Sequence, residues 1–474
     1  MTLPCSGMPP LTARTETWME DLLSDPAQAA ALIREHGSPV NVLDLSPLRR
    51  NVDELVTAAA SEGVDLQVFV ARKANKALTV VEEALACGAG VDVASPAELE
   101  QSLRAGAPGH RVIVTAATKS DALLARAAAS GAAVSLDNLD ETAALARICA
   151  ETGAEAEVAL RIASADPRIP PTRFGLRPEV WLEHLDELPA RLRIGGVHFH
   201  LNGYSAAERS VVLAEACRLV DALRAAGHPV HYVDMGGGIP MRYLEDAAQW
   251  RTFWEALAAA RSDEVTWRGD ALGLVDPARD RPSPAVYPFW QEAVRGSWIR
   301  EVLTAQVEGT TPARLLVERG LELRCEPGRS VLDGCGLTLA EVAFRKESSD
   351  GRPLVGLHMN RTQLRSTSAD VLLDPRWLRP PSAGEPGPAT DAFLVGAYCI
   401  EEELILRRRL RLPQGAARGD VVAFVNTAGY LMHILESASH QLPLAATVVR
   451  RDGSWVRDGI DAVAPTGPPA PSPR

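Results

Sequence analysis

Short apolar runs recur along the first two thirds of the chain, separated by stretches whose apolar residues have helical spacing. Val70, Val91, Val112, Val134 and Val158 mark five of these runs and lie 21, 21, 22 and 24 residues apart. Each interval accommodates a strand, a helix and two short loops, which is the repeat of a βα unit. The pattern therefore predicts eight strands, at residues 67–71, 90–94, 111–116, 133–137, 157–162, 194–200, 230–235 and 321–325.

Eight parallel βα units predict an α/β fold with a closed (β/α)8 barrel of the TIM type over residues 46–337. An open doubly wound sheet is the alternative, and the lack of a GxGxxG loop weakens it. Between Gly238 and Glu326 the chain is too long for one helical crossover. A segment of about 261–300, rich in Pro, Trp and Gly, is therefore predicted to be an insertion.

Beyond the barrel the pattern changes to β-rich segments in which helical spacing is nearly absent. A second, antiparallel β domain is predicted from residues 1–45 and 338–464. Its strands are expected at 39–45, 339–344, 354–359, 392–398, 403–412, 421–426 and 445–450. The last ten residues, 465–474, contain five Pro and are predicted to be a disordered tail.

The composition excludes several classes of protein. A net charge of −12 with 46% hydrophobic and 23% charged residues is typical of an ordinary soluble protein and gives no basic surface for nucleic acid. No apolar run approaches the roughly 18 residues of a membrane span, and residues 1–10 lack the features of a signal peptide, so we expect a cytoplasmic protein. Seven scattered Cys without a CxxC pair, and no ligand-spaced cluster of His and acids, predict reduced thiols and no metal site.

Lysine is rare in this chain, which draws attention to Lys73. Only four of the 49 basic residues are Lys, at positions 73, 76, 119 and 346. Arg cannot replace a Lys whose unprotonated amine attacks a carbonyl, because a guanidinium stays protonated. Lys73 directly follows the first predicted strand, at the end where barrels carry their sites. We therefore infer a lysine that forms a Schiff base, with a solvated loop lysine as the alternative.

Other polar residues lie at the ends of the predicted strands or just past them, although a barrel core is filled by branched apolar side chains. They are Asp92, Arg161, His200, Gly236, Gly237, Gly238, Glu326 and Arg329. The three glycines offer backbone amides to a phosphate, and a tight turn is the alternative. Burial of Glu326, in CEPGRS, would be explained if its carboxylate paired with a cationic heterocycle. A structural Glu–Arg pair is the alternative. Arg329 could add a charge-assisted phosphate contact.

Several short motifs together resemble one known family. ARKAN, GVDVAS, LRIA, RFGL, GVHFH, DMGGGIP, CEPGRS, GAYC and AGY occur in the order found in the fold-type III pyridoxal-phosphate decarboxylases, the ornithine and diaminopimelate decarboxylase group. The resemblance covers about residues 39–444. It implies the alanine racemase/ornithine decarboxylase-like fold, pyridoxal 5'-phosphate as cofactor, and amino-acid decarboxylation through an external aldimine and a quinonoid. It also implies a homodimer with shared active sites.

The resemblance further implies roles for individual residues. Lys73 would form the internal aldimine, with Asp92 and Arg161 nearby, and Glu326 would pair with the pyridine nitrogen. His200 would stack on the cofactor ring, and His198, on the same strand face, remains possible as a ring neighbour. The phosphate would be held by Gly236, Gly237, Gly238, Arg329 and Tyr430. Cys399 of the partner subunit would return the proton, or Lys73 would do so.

Two departures from the family pattern indicate a divergent branch. Ile400 stands directly after the catalytic Cys, where relatives have an acid, and is followed by Glu401, Glu402 and Glu403. The family's His-x-Gly-Ser is His-Leu-Asn-Gly here, at residues 200–203. The first departure bears on substrate recognition and the second on a phosphate contact. The candidate substrate contacts are Arg365, Ile400 and Glu402, for a small-molecule or carrier-linked amino acid.

Two rival functions follow from the same motifs. An amino-acid racemase of this fold places an Arg against the ring nitrogen, so Glu326 favours decarboxylation. A non-catalytic regulator that has lost its cofactor is disfavoured because Lys73, the glycines, Glu326, Arg329 and Cys399 are all present.

Overall fold

The computed structural model describes residues 1–261, 263–273, 286–366 and 371–462. These residues form two compact units. We call Met1–Pro47, Met241–Glu292 and Leu332–Ala462 the β unit, and Leu48–Pro240 with Ala293–Val331 the barrel unit. The predicted tail at 465–474 lies outside the described residues. In the part of the chain that is described, no helix is both long and apolar enough to cross a membrane.

The described strands, in chain order, are β1 (Thr2–Leu3), β2 (Ser6–Gly7), β3 (Val40–Leu43), β4 (Leu66–Ala71), β5 (Gly90–Val93), β6 (Val112–Val114), β7 (Ala133–Leu136), β8 (Ala156–Ile162), β9 (Leu192–Phe199), β10 (Tyr232–Asp234), β11 (Glu322–Cys325), β12 (Gly336–Glu347), β13 (Pro353–Leu357), β14 (Arg376–Leu378), β15 (Thr390–Val395), β16 (Leu410–Leu412), β17 (Val421–Val425), β18 (Ala446–Arg451) and β19 (Ser454–Arg457).

The described α-helices, in chain order, are α1 (Thr17–Leu23), α2 (Pro26–His36), α3 (Ser46–Ala60), α4 (Leu78–Ala86), α5 (Pro96–Arg104), α6 (Asp121–Ser130), α7 (Leu139–Thr152), α8 (Pro178–Glu183), α9 (Ala206–Ala225), α10 (Ala247–Ala259), α11 (Arg295–Thr304) and α12 (Pro312–Glu318).

Strands β4 to β11 close into the predicted barrel. Their order is β10-β11-β4-β5-β6-β7-β8-β9, and every neighbouring pair is parallel. Each of the eight strands begins and ends within about two residues of its predicted bounds. All residues of β5, β6 and β7 are buried, because helices cover the outer face of a parallel sheet and leave it no solvent side.

Helix caps fix the turns that follow the barrel strands. Ser95 accepts a hydrogen bond from the Glu98 amide at the start of α5, and the Glu98 carboxylate accepts one from the Ala94 amide. Asn138 caps α7 in the same way, by accepting from the Glu141 amide. These short polar caps start each helix a few residues after the strand, so residues at the strand end are held in position.

The β unit has the predicted, mostly antiparallel sheet, with two exceptions. Strand β13 pairs in parallel with β15, and β18 pairs in parallel with β3. The N-terminal strand β3 joins this unit as predicted and lies between β12 and β18. Since each parallel pair joins segments distant in sequence, no hairpin turn marks it and local pattern cannot reveal it.

The predicted strand at 403–412 is wrong for most of its length. Only Leu410–Leu412 forms a strand there, whereas Leu404 and Arg408 make isolated bridges. The buried Arg408 guanidinium pairs with Asp374, whose other oxygen accepts from the Leu11 amide. The apolar pattern of this stretch is that of a strand, but contacts of buried charged side chains fix its backbone, and it forms no regular ladder of strand hydrogen bonds.

The predicted insertion divides between the units. Residues 241–292, including α10, belong to the β unit, and from Ala293 the chain returns to the barrel unit with α11 and α12. Residue 262 and residues 274–285 of the predicted segment lie outside the described part of the chain.

Candidate active site

The amine of Lys73 lies at the carboxyl end of β4, in a short turn at Arg72–Ala74. Its Nζ forms an ion pair with a carboxylate oxygen of Asp92, at the end of β5. The Thr115 hydroxyl donates to the other Asp92 oxygen. Asp92 is fully buried whereas 36% of the Lys73 side chain is exposed, so a buried carboxylate holds the amine of a side chain that solvent can reach.

Arg161, at the end of β8, organises a second group. Its Nη1 lies 3.1 Å from Asp137 Oδ1, and the same oxygen accepts from the Gly175 amide at 3.1 Å. The guanidinium lies 4.6 Å from the centre of the Phe174 ring, whose edge-to-face contact with His200 spans 5.8 Å. Arg161 thus holds the loop that orients His200.

Burial lowers the pKa of His200 to about 3, and the charges of Lys73 and Arg161 add to this effect. The imidazole is therefore neutral at physiological pH. A neutral, flat ring fixed by an aromatic neighbour suits stacking against another planar group better than a solvated cation would.

Three buried groups meet beneath the strand ends of β9, β10 and β11. His198, Asp234 and Glu326 each present one atom, and these atoms lie within 4.8 Å of one another. Burial, together with the nearby Asp92 and Asp234 carboxylates, raises the pKa of Glu326 well above its usual value. Burial also raises the pKa of Asp234 to about 6. The folded chain therefore favours the protonated form of Glu326 more than a solvated Glu does.

Glu326 lacks a full set of partners among the described residues. Its Oε1 lies 3.4 Å from His198 Nε2, and neither atom makes a hydrogen bond there. The other imidazole nitrogen of His198, Nδ1, is hydrogen-bonded to the Ser135 hydroxyl. Burial lowers the pKa of His198 well below its usual value, so the imidazole is neutral. A buried acid with an unsatisfied oxygen is costly unless a cationic or donor ligand completes it.

The glycine loop, defined as Gly236, Gly237 and Gly238, follows β10 directly. The Gly236 amide donates to Asp234 Oδ1 at 2.9 Å, but the amides of Gly237 and Gly238 donate to no acceptor among the described residues. A Cβ at Gly236 would lie 2.7 Å from the Phe199 carbonyl oxygen, and one at Gly237 would lie 2.8 Å from the Glu326 carbonyl oxygen. The loop therefore offers two open amides in a space that any side chain would fill.

Arg209, which sequence reasoning missed, holds this loop from the first turn of α9. Its Nη2 donates to the carbonyls of Leu201, Gly203 and Gly237 at 3.1, 2.9 and 3.1 Å. Arg in a helix pattern usually marks a solvent face, so nothing in the local sequence distinguishes this buried guanidinium. Asp137, Phe174 and Ser135 were also missed, because they act on predicted residues from other strands and loops.

The remaining predicted site residues belong to the β unit. Cys399 has an exposed thiol, and Ile400 is 43% exposed. Glu402 lies 4.0 Å from the Arg268 guanidinium, and about half of each side chain is exposed. Arg365 follows the short helical turn Arg361–Leu364 and is half-buried.

Tyr430 and Arg329 complete the predicted set. Tyr430 adopts a positive φ of 73°, which is rare for a residue with a side chain and is typical of functional sites and tight turns. Arg329 lies in the turn after β11 in the barrel unit and is half-buried.

The barrel-unit residues fit pyridoxal phosphate by three observations of different kinds. Lys73 is an accessible amine, the glycine loop has open amides for a phosphate, and Glu326 is a buried acid with an unsatisfied oxygen for a protonated ring nitrogen. His198, Asp234 and Glu326 have the composition of a metal site, but the pyridine nitrogen accounts for the acid without one.

Comparison with known proteins agrees with this geometry. Residues 49–270 match the pyridoxal-binding domain of the pyridoxal-dependent decarboxylase family. This part of the chain belongs to that family, and the chain as a whole resembles a divergent fold-type III pyridoxal-phosphate decarboxylase. Its cofactor is pyridoxal phosphate, and the reaction class of the family is decarboxylation of amino acids.

Individual relatives of this decarboxylase are distant. It is 29% identical to the uncharacterized protein y4yA of Sinorhizobium fredii over 94% of this chain and 95% of that one. It is 24% identical to diaminopimelate decarboxylase of Zymomonas mobilis, covering 88% of both chains. The structure of diaminopimelate decarboxylase from Helicobacter pylori, complexed with L-lysine, has the same fold with a TM-score of 0.65 at 17% identity, over 91% of this chain and 97% of that one.

Proposed function

We propose that this decarboxylase removes the α-carboxylate of an amino acid bound through pyridoxal phosphate at the barrel strand ends, with Lys73 as the attachment point. The observation that carries the proposal is Glu326, a buried acid with an unsatisfied oxygen beneath the same strand ends as the accessible amine. Bound pyridoxal phosphate supplies an electron sink for the bond that breaks.

Asp92 prepares Lys73 for its role. Its carboxylate accepts from the amine on one oxygen and from the Thr115 hydroxyl on the other, so the carboxylate cannot rotate away. It keeps the amine oriented toward the barrel mouth and accepts the proton that the amine must lose before it can bond to a carbonyl carbon.

Glu326 holds a proton where the ring nitrogen would lie. Its raised pKa favours the protonated acid, which would donate to or share a proton with a basic ring nitrogen placed beside it. His198 remains neutral beside it, with Nδ1 anchored by Ser135. We infer that His198 and Ser135 are positioning residues, which keep the Glu326 oxygen aimed at the ring nitrogen.

The racemase alternative is disfavoured by the same residue. In racemases of this fold an Arg faces the ring nitrogen and leaves it unprotonated, whereas a carboxyl group at this position maintains the proton that stabilises charge at Cα. The discriminating test incubates the protein with pooled carboxyl-labelled amino acids. Release of labelled CO2 supports decarboxylation, and inversion of configuration without CO2 supports the racemase.

Cys399 is proposed as the group that returns a proton to Cα. Its thiol is exposed in the β unit, as a group that serves a substrate must be. By the family resemblance, the protein would act as a homodimer in which Cys399 of the partner subunit completes each site.

The substrate is proposed to lack a distal ammonium group. In relatives the acid after the catalytic Cys contacts the distal amine of a basic substrate, and Ile400 cannot make that contact. An ammonium entering beside Ile400 would lose water without gaining a partner, a penalty of roughly 1–3 kcal/mol, which is about fivefold to over a hundredfold in discrimination.

Neighbouring acids are poor replacements for the missing one. Glu403 is almost fully buried, and its Oε1 accepts from the Arg361 amide at 2.9 Å. Glu402 is the freer of the two, since its contact with Arg268 is long and exposed. Ile400 lines a 340 Å³ pocket of the β unit together with Trp267, Phe344 and Tyr398, and the same pocket is also lined by the charged residues Arg268, Lys346, Asp350, Glu401 and Glu403. The proposal of a neutral or carrier-linked side chain therefore rests on Ile400 itself and not on the pocket as a whole.

Steady-state kinetics with ornithine, lysine and meso-diaminopimelate test the substrate proposal. We expect poor kcat/KM for all three in the wild type and a gain of at least about tenfold in Ile400→Asp for a basic substrate. The Glu402→Gln variant is the matched control for the alternative acid. Efficient turnover by the wild type that Glu402→Gln leaves unchanged would refute the role of Ile400.

A further inference from the structure

Arg209 combines full burial with contacts that leave its charge unbalanced. The acceptors of its Nη2, in Leu201, Gly203 and Gly237, are all neutral backbone carbonyls. They belong to two different segments, the turn after β9 and the glycine loop after β10. The guanidinium therefore ties the glycine loop to the turn that precedes α9.

No carboxylate forms an ion pair with Arg209 among the described residues, and its Nε has no hydrogen-bond partner there. Burial lowers the pKa of Arg209 to about 10, and Glu208 acts on it only through space in the opposite direction. The side chain is thus still charged at pH 7. The ring of Trp298, 5.3 Å away, provides a further weak interaction with the cation. A buried cation without a counter-ion is costly, so the arrangement favours a bound anion.

The open amides of the glycine loop adjoin this cation. A Cβ built at Gly238, where φ is 78°, would lie 2.2 Å from Arg209 Nη2. The amides of Gly237 and Gly238 have no acceptor among the described residues. The two unsatisfied amides of the glycine loop therefore lie beside the uncompensated charge of Arg209. This combination is suited to a phosphate dianion.

We propose that Arg209 determines phosphate recognition in this chain, by holding the glycine loop through the Gly237 carbonyl and by supplying the positive charge that balances a phosphate on the open amides. Its Nη2 is already engaged by three carbonyls, so it acts as a positioning residue and through its charge. This inference rests on the proposed cofactor site.

Two substitutions separate charge from shape. Arg209→Lys keeps the charge with fewer donors, and Arg209→Gln keeps an amide donor without charge. Arg224→Gln is the matched control. Arg224 lies on the same helix and also donates to backbone carbonyls, those of Val230 and Arg319. It is about 22 Å from Arg209 along the helix axis.

The measurement is calorimetric titration of the cofactor-free full chain with pyridoxal phosphate, pyridoxal and inorganic phosphate. We expect Arg209→Gln to weaken the binding of pyridoxal phosphate and of inorganic phosphate by about tenfold or more, while the affinity for pyridoxal changes by less than about twofold. Arg209→Lys should retain most of the preference for the phosphorylated ligand, and Arg224→Gln should retain all of it.

Equal weakening of pyridoxal phosphate and pyridoxal in Arg209→Gln would overturn the proposal, since a purely structural role lowers both. Should circular dichroism show that Arg209→Gln is unfolded, Arg209→Lys decides, because loss of the phosphate preference despite a retained charge would also overturn it. A wild-type chain that binds no pyridoxal phosphate would instead refute the cofactor site itself.

Discussion

The amine of Lys73 is set apart from its neighbour Lys76 by a buried carboxylate. Asp92 and Thr115 hold it at the end of β4. We predict that Lys73→Ala abolishes the visible absorption band of the bound cofactor and lowers activity by several orders of magnitude, because the covalent attachment is lost. The absorption spectrum of the purified variant checks this, with Lys76→Ala as control. A band that disappears in Lys76→Ala and persists in Lys73→Ala would reverse the assignment.

For Glu326→Gln we predict retained cofactor and a fall in kcat of about a hundredfold or more, because an amide cannot keep the proton on the ring nitrogen. Cofactor content from absorbance and kcat from CO2 release are measured on the same sample. Unchanged kcat at full cofactor occupancy would contradict the role of Glu326.

The raised pKa of Glu326 also predicts how stability depends on pH. The folded chain binds this proton more tightly than the unfolded chain, in which the pKa of Glu is about 4.3. The contribution to stability is therefore complete below about pH 4.3 and is lost as pH rises through the higher folded value. Asp234, with its pKa raised to about 6, acts with the same sign between about pH 4 and 6.

We accordingly expect the Tm of the cofactor-free protein to fall as pH rises from about 5 to 8, and to fall less in Glu326→Gln. Thermal unfolding across this range measures the slope. Glu318→Gln, which changes an exposed acid of α12, is the control and should keep the wild-type slope. Identical slopes in all three proteins would show that Glu326 is not the group that titrates.

The site residues that could be predicted from the sequence are those whose place relative to a predicted strand already indicates a site. Lys73, Asp92 and Glu326 lie at or just past the carboxyl ends of strands, so chemistry and location agree. Arg209 could not be found, because burial of a helix residue depends on Gly237 and Gly203, which approach it only in the fold. Ser135 could not be predicted either, because its role depends on a hydrogen bond to His198 on another strand.

Among the elements, the glycine loop is the one most sensitive to a single added carbon. A Cβ at Gly236 would meet the Phe199 carbonyl at 2.7 Å, in addition to the strain of a φ of 67°. We predict that Gly236→Ala weakens pyridoxal phosphate binding by about tenfold or more, because the loop must shift to relieve the contact. Fluorescence titration of the cofactor measures the loss.

Gly227→Ala separates contact from strain in that experiment. Gly227 follows α9 with a φ of 92°, and a Cβ added there would meet no atom of the described residues within 4 Å. Its substitution therefore introduces strain without a clash. We expect it to lower Tm modestly and to leave cofactor affinity unchanged. Equal loss of affinity in both variants would mean that the loop geometry at Gly236 is not decisive.

Whole elements were predictable where their partners are close in sequence. The barrel strands alternate with helices at a steady interval, and strands that are consecutive in sequence pair with each other, so the spacing of apolar runs was enough to predict the barrel. In the β unit the parallel pairing of β18 with β3 joins the two ends of the sequence, and no local signal can express it. The stretch before β16 failed for a related reason, because Arg408 and Asp374 come together only in the folded unit.

At the scale of the whole molecule, the proposed homodimer makes a quantitative prediction. Lys73→Ala and Cys399→Ala subunits should each be inactive, yet their mixture should recover up to about a quarter of wild-type activity. Random exchange leaves half of the dimers mixed, and each mixed dimer has one intact site of two. Activity after mixing, with subunit exchange verified by differently tagged chains, is the measurement. No recovery despite exchange would refute shared sites.

The pairing of β3 with β18 has a consequence for the order of synthesis. About 400 residues separate Leu43 from Ala446. At a synthesis rate of about 5–20 residues per second, Val40–Leu43 would wait roughly 20–80 s for this neighbour, long after the final barrel strand β11 has been made. A segment made almost first thus completes its sheet almost last, and a ribosome that stops before β18 would release a chain whose β unit has an open, hydrogen-bonding edge.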